Sequence, residues 1–191
     1  MLEAVVAGAE DLPAFDDRLM TLEFAAELYV DAGDRDGQRE TAMVVLETLE
    51  MMEDEDLAYE SVDSYAPLFW GAGLCDEVVG GAEANLETGY GGDYLALAIE
   101  TCAHDGELDT ALGLLKDLHD EEARATAILG MLDAVADLSA DDLPEGLLDR
   151  LVVRARSIDE RDTRRLVLVA LTAAYGRSGD QQMMERLVSR V

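Results

Sequence analysis

The sequence predicts an all-α fold, and three observations carry that prediction. Apolar residues recur three and four apart across 22–32, 42–52, 95–103, 111–118, 128–138, 147–155 and 166–175, the spacing of a helix with one buried face. Proline is confined to positions 13, 67 and 144, and alternating strand-like runs are missing. Segments around Gly33, Gly73, Gly106, Ser139 and Gly179 align with one another at intervals of 40, 33, 33 and 40 residues, which points to repeated helical hairpins.

The elements follow in order. A short N-terminal helix is expected over 2–12. Hairpins are expected at 17–32 with 36–53, 57–72 with 75–88, 93–105 with 107–119, 122–138 with 144–156, and 161–177 with 180–190. Each pair turns at a reference residue, four times a glycine, which suits the left-handed conformation that closes a helix. Eleven, eight, seven and four residues before the reference lie mostly apolar side chains, such as Leu22, Ala25, Ala26 and Tyr29, or Leu95, Ala98, Ile99 and Cys102. Those offsets trace one face of the first helix. Three residues after the reference stand Asp36, Asp76, Asp109, Asp142 and Gln182; an acid there meets the positive end of the second helix. Pro67 is expected to bend or interrupt its helix. The stretch "ETGYGGD" at 87–93 reads as a flexible joint. No break in composition divides residues 1–191 into two domains.

Charge sets the physical class. Forty-three acids oppose fourteen bases, for a net charge of −29, and Lys116 is the single lysine beside thirteen arginines. The acids are spread among periodic apolar residues, so they read as solvated helix faces rather than a disordered tail. Such a surface suits concentrated salt, which screens self-repulsion to a range of about 3 Å. No apolar run is long enough for a transmembrane helix. The start, "MLEAVVAGAEDLPAF", does not read as a secretory signal. Cys75 and Cys102 are the only cysteines, and two thiols fit a reducing cytoplasm better than a disulfide scaffold.

The stretch "TCAHDGELDTAL" at 101–112 gathers Cys102, His104, Asp105, Glu107 and Asp109. Residues two apart on a helix point about 200° from one another, so Cys102 and His104 cannot share an ion. No tight zinc spacing is present, and the glycine-rich runs lack the lysine of a phosphate loop. No metal, cofactor or catalytic set is expected. Cys102 falls on the buried face, and a thiol there is ordinarily an inert core residue.

The repeat pattern resembles the tetratricopeptide repeat (TPR) family over roughly residues 20–191. The family places a large apolar residue, a leucine, a small residue and a tyrosine at the same offsets before a loop glycine. This chain departs from it: the alanine expected five residues after the glycine is matched only by Ala111, and the family's proline at the end of the second helix is missing. The resemblance implies a TPR-like α-solenoid of about five hairpins, and a non-enzymatic scaffold that binds a protein partner on its concave face. The implied groove positions lie 13, 10, 6, 3 and 2 residues before the reference. They include Glu23, Glu27, Asp31, Glu60, Asp63, Trp70, Asp93, Glu100, His104, Asp133 and Asp137. Such a groove is acidic and suits a basic or amphipathic segment. Trp70 serves there either as an aromatic anchor or as packing against Tyr65 and Phe69.

Two further surfaces stand beside the groove. Residues 150–191 carry +4 while residues 1–149 carry −33. Arg154, Arg161, Arg164 and Arg165 therefore either pair with nearby acids and helix ends or form a patch for an anion or acidic partner. Nucleic acid is disfavoured, because interleaved aromatics are missing and the rest of the chain repels a polyanion. Leu187, Val188 and Val191 lie near an open end of the array, where a second copy or a partner could pack. The competing readings are an enzyme or small-molecule binder with a pocket near Cys102 and His104, and a regulatory protein binding nucleic acid through its arginine-rich end.

Overall fold

The computed structural model describes residues 2–10, 12, 14–51, 64–87, 89–136, 138 and 143–188. All regular structure among them is α-helical. The helices are α1 (Leu2–Glu10), α2 (Phe15–Ala32), α3 (Arg35–Glu50), α4 (of which residues 64–69 are described), α5 (Cys75–Ala84), α6 (Gly91–His104), α7 (Leu108–Leu114), α8 (Glu121–Ala134), α9 (Leu147–Arg156), α10 (Arg161–Ser178) and α11 (Gln181–Val188). Several end earlier than the apolar pattern suggests. After α7, Lys116 and Asp117 bond back only three residues, to Gly113 and Leu114, and after α8 Ala136 does the same to Asp133. These tight turns absorb the last orphan carbonyls.

Two compact units form, residues 1–81 and 82–191, with the division inside α5. In the first, α2 packs on α1 and α3. In the second, α6 packs on α7 and α8, α8 on α9 and α10, and α10 on α9 and α11. The first helices of successive pairs, α6, α8 and α10, thus stack side by side in chain order.

The recurring apolar positions are the core. Leu22, Ala25, Ala26, Tyr29, Ala66, Phe69, Leu95, Ala98, Ile99, Cys102, Ile128, Met131, Leu132, Val135, Leu168, Leu171 and Tyr175 are all buried. Tyr65 and Thr172 are half-buried, and Val62 lies outside the described residues. Burying each leucine-sized side chain contributes about 1.5–3 kcal/mol. The four reference glycines all take the left-handed conformation, with φ of 70° at Gly33, 71° at Gly73, 85° at Gly106 and 81° at Gly179. At Gly33 and Gly106 the next residue closes the helix in the same way. Asp34 N–H donates to Tyr29 O (2.9 Å), and Glu107 N–H donates to Cys102 O (2.8 Å). Asp36, Asp76 and Asp109 each lie in the first turn of the following helix; position 142 lies outside the described residues.

Three sequence expectations are corrected. Helix runs on both sides of Pro67, through residues 64–69, so the proline does not interrupt it. Gly91 and Gly92 are not a joint but the first turn of α6. A Cβ on Gly91 would lie 2.5 Å from the Leu86 carbonyl oxygen, so close backbone approach selects glycine there. Neither Cys75 nor Cys102 is a free thiol: both are disulfide-bonded. Cysteine count alone does not show which side chains are joined.

Arginine ties the helix ends. Arg18 Nη2 donates to Leu12 O at 3.0 Å. Arg124 donates through Nε (3.1 Å) and Nη2 (2.8 Å) to Leu118 O. Arg164 Nη1 donates to Ile158 O at 2.6 Å. Each guanidinium sits in the opening turn of a first helix and reaches the carbonyl six residues earlier. In α3, Arg39 donates to Ala72 O (3.2 Å) and Gly73 O and pairs with Glu77.

Candidate functional site

The groove positions divide between the two units. In the first, Glu23 and Glu27 are exposed one turn apart on α2, with Asp31 a turn further. Met20, Phe24 and Val30 are exposed on the same helix. Trp70 is half-buried in the turn after α4, and Asp63 and Glu60 lie outside the described residues.

In the second unit, packing brings the predicted residues of α6 and α8 together. The Glu100 side chain lies against Gly130, where a Cβ would come within 2.6 Å of its Cδ. Glycine therefore lets α8 approach the carboxylate of α6. One turn on, His104 is half-buried at the end of α6 and feels the charge of Asp133 on α8. Burial lowers the His104 pKa, and Asp133 and Asp105 pull it back only in part. Asp133 itself is exposed and Asp93 half-buried; Asp137 lies outside the described residues.

Carrying the same offsets into α10 gives Leu166, Val169, Ala173, Gly176 and Arg177, every one exposed. Leu166 and Val169 keep 59% and 51% of their surface, high for apolar side chains beside a well-filled core. Thr126 and Leu129 hold these places on α8, exposed and half-buried. The stacked first helices thus present carboxylates at α6 and α8 and an apolar stripe at α10. Those α10 positions are legible by counting from Gly179, but, being mostly apolar, they carry little charge signal.

The four arginines of the expected patch have different surroundings. Arg164 is committed to Ile158 O and to Asp159 O (3.2 Å). Arg154 lines a cleft between α7 and α9, whereas Arg161 and Arg165 are exposed on α10. At the C-terminal end Leu187 is buried and only Val188, 61% exposed, faces outward; Val191 lies outside the described residues. Leu187 therefore belongs to the core rather than to an open apolar end.

Polar handles join neighbouring helices and their connections. The buried Tyr175 hydroxyl donates to Asp149 Oδ1 on α9 at 2.6 Å, and burial with that bond raises its pKa. Glu121, in the first turn of α8, accepts from Asp159 N–H (3.0 Å) and Glu160 N–H (3.1 Å), which lowers its pKa.

Catalytic chemistry finds little support at Cys102, which is fully buried and disulfide-bonded and so offers no thiolate. Among the described residues no group of three or more His, Cys, Asp or Glu could hold a metal ion. None of the described helices is long and apolar enough to cross a membrane. No family model matches the chain, and neither a curated protein nor a solved structure matches it.

Proposed function

We propose that the chain is a non-enzymatic protein–protein interaction module, built of TPR-like hairpins in an α-solenoid and working in concentrated salt. Its second unit binds a basic, amphipathic partner segment along the exposed face of α6, α8 and α10. One observation carries this reading. On three helices stacked in chain order, positions 11, 8, 7 and 4 before the reference are almost all buried, while on α10 positions 13, 10 and 6 are left exposed and apolar. A folded chain gains nothing by leaving Leu166 and Val169 in water, so a partner is the natural cover for them. Glu100 and Asp133 supply the charge that a basic segment would meet, and electrostatic complementarity sets its direction across the helices.

Affinity capture at native salt, followed by binding of the identified segment to purified variants, tests the proposal. Leu166→Asp and Asp133→Lys should each weaken binding by about tenfold or more, with helicity unchanged. Binding that survives both substitutions would place the partner elsewhere.

A further inference from the structure

A cleft of about 380 Å³ opens between α7 and α9, formed by second helices and separate from the face of α6, α8 and α10. Lys116, Arg150 and Arg154 line it, together with Leu112, Leu115 and Val153. Three of the fourteen bases, including the sole lysine, thus converge in a chain that carries 43 acids. Four arginines elsewhere have evident tasks: Arg18, Arg124 and Arg164 hold carbonyls, and Arg39 holds a loop and Glu77. These three do not. Among the described residues the sole ion pair here is Arg150 with Asp109, which also lines the cleft. It is loose, at 3.8 Å, with Asp109 94% exposed. Arg150 and Arg154 stand one turn apart on α9, a like-charge spacing that disfavours the free helix. Asp109 cannot neutralise three cations, so the cleft retains about two positive charges in an otherwise acidic molecule.

We propose that this cleft is a binding site for a small organic phosphate. Two guanidinium groups and an ammonium suit a multiply charged phosphate better than a single carboxylate. Leu112, Leu115 and Val153 offer an apolar wall for the body that carries it. The volume is at the small end of ligand pockets and matches a mononucleotide-sized molecule. The overall charge of −29 does not forbid an anion here. In molar salt its field dies away within about 3 Å, so direct contacts decide.

Titration of the full chain with AMP, inorganic phosphate and adenosine in molar potassium chloride, followed by ³¹P NMR and calorimetry, tests the site. AMP should bind saturably at one site, inorganic phosphate about tenfold more weakly, and adenosine without saturation. Lys116→Gln and Arg154→Gln should each weaken AMP by about tenfold while Arg161→Gln leaves it unchanged, with helicity checked in every case. Lys116 is exposed, so its variant keeps the fold. Absence of saturable AMP binding, unchanged affinity in both cleft variants, or inorganic phosphate binding as tightly as AMP would each overturn the proposal.

Discussion

Replacing Arg124 with lysine keeps the charge and removes the fork. In the native chain this guanidinium donates twice to Leu118 O, once to His119 O (3.0 Å), and to Ser157 O (3.4 Å) and Oγ (3.3 Å). It therefore closes the end of the α7 segment and touches the loop between α9 and α10. Lysine has a single point of donation and reaches at most one of these acceptors well. The two bonds to Leu118 and the one to His119 dominate, since those to Ser157 are long and exposed. Hydrogen bonds from a charged donor contribute about 1.5–3 kcal/mol when shielded, and this half-buried side chain takes the lower part of that range. Arg124→Lys should cost about 1–2 kcal/mol and Arg124→Ala about 2–3 kcal/mol. For a chain of this size that is a fall in Tm of roughly 2–8 °C and 4–12 °C. Thermal unfolding at fixed salt measures it, and hydrogen exchange should show lost amide protection at 116–121 and 157–160. Arg164 and Arg18 make fewer such bonds, so their alanine variants should rank below Arg124→Ala. A lysine variant as stable as the native chain, with unchanged exchange, would refute the idea that the fork matters.

Other expectations concern packing, acidity and salt. Gly37→Ala places a Cβ 2.2 Å from ring atoms of Tyr29, so α2 and α3 must separate; a loss of about 1–3 kcal/mol should appear in denaturant unfolding. Burial lowers the His104 pKa, so the unfolded chain takes the proton first and stability should fall as pH drops below about 6.5, down to the folded value. His104→Gln should flatten that part of the stability profile. Glu121 and Glu160 are also lowered, by backbone N–H groups, so their contribution is full above the ordinary carboxylate range and is lost as pH falls through their folded values. Dilution from molar to about 0.1 M salt should lower Tm, because the chain carries −29 and weaker screening strengthens the repulsion among its acids. A Tm independent of salt would show that the acids do not strain the fold.

Much of the fold was legible because it repeats. A position that is buried in one hairpin is buried in the next, so register alone located Leu22, Leu95 and Ile128 in the core and a left-handed glycine at 33, 73, 106 and 179. Features that depend on meetings between distant residues were not legible. The oxidised state of Cys75 and Cys102 leaves no local signature, and the fit of Gly130 against Glu100 needs two helices to be in place. The arginine ties lay between these cases. Arg18, Arg124 and Arg164 each stand fifteen residues before a reference position, a register that Ala58 and Gly91 break in the other two hairpins. Reading arginine as charge rather than as a planar donor hid that pattern. Arg154 and Arg164 look alike as charges, yet one lines a cleft and the other holds a carbonyl.

The opening turn of α8 holds both ends of one short connection. Arg124 reaches Ser157, where α9 stops, and Glu121 accepts the N–H groups of Asp159 and Glu160, where α10 is about to start. The mechanical expectation is that α10 resists loosening at its entrance while α8 keeps its first turn, chiefly through Glu121. Pulled from its C-terminus, the second unit should therefore shed α11 early and then resist, yielding as a block rather than one hairpin at a time. The length of that force plateau would report how far two side chains, set three residues apart, knit neighbouring hairpins into one cooperative body.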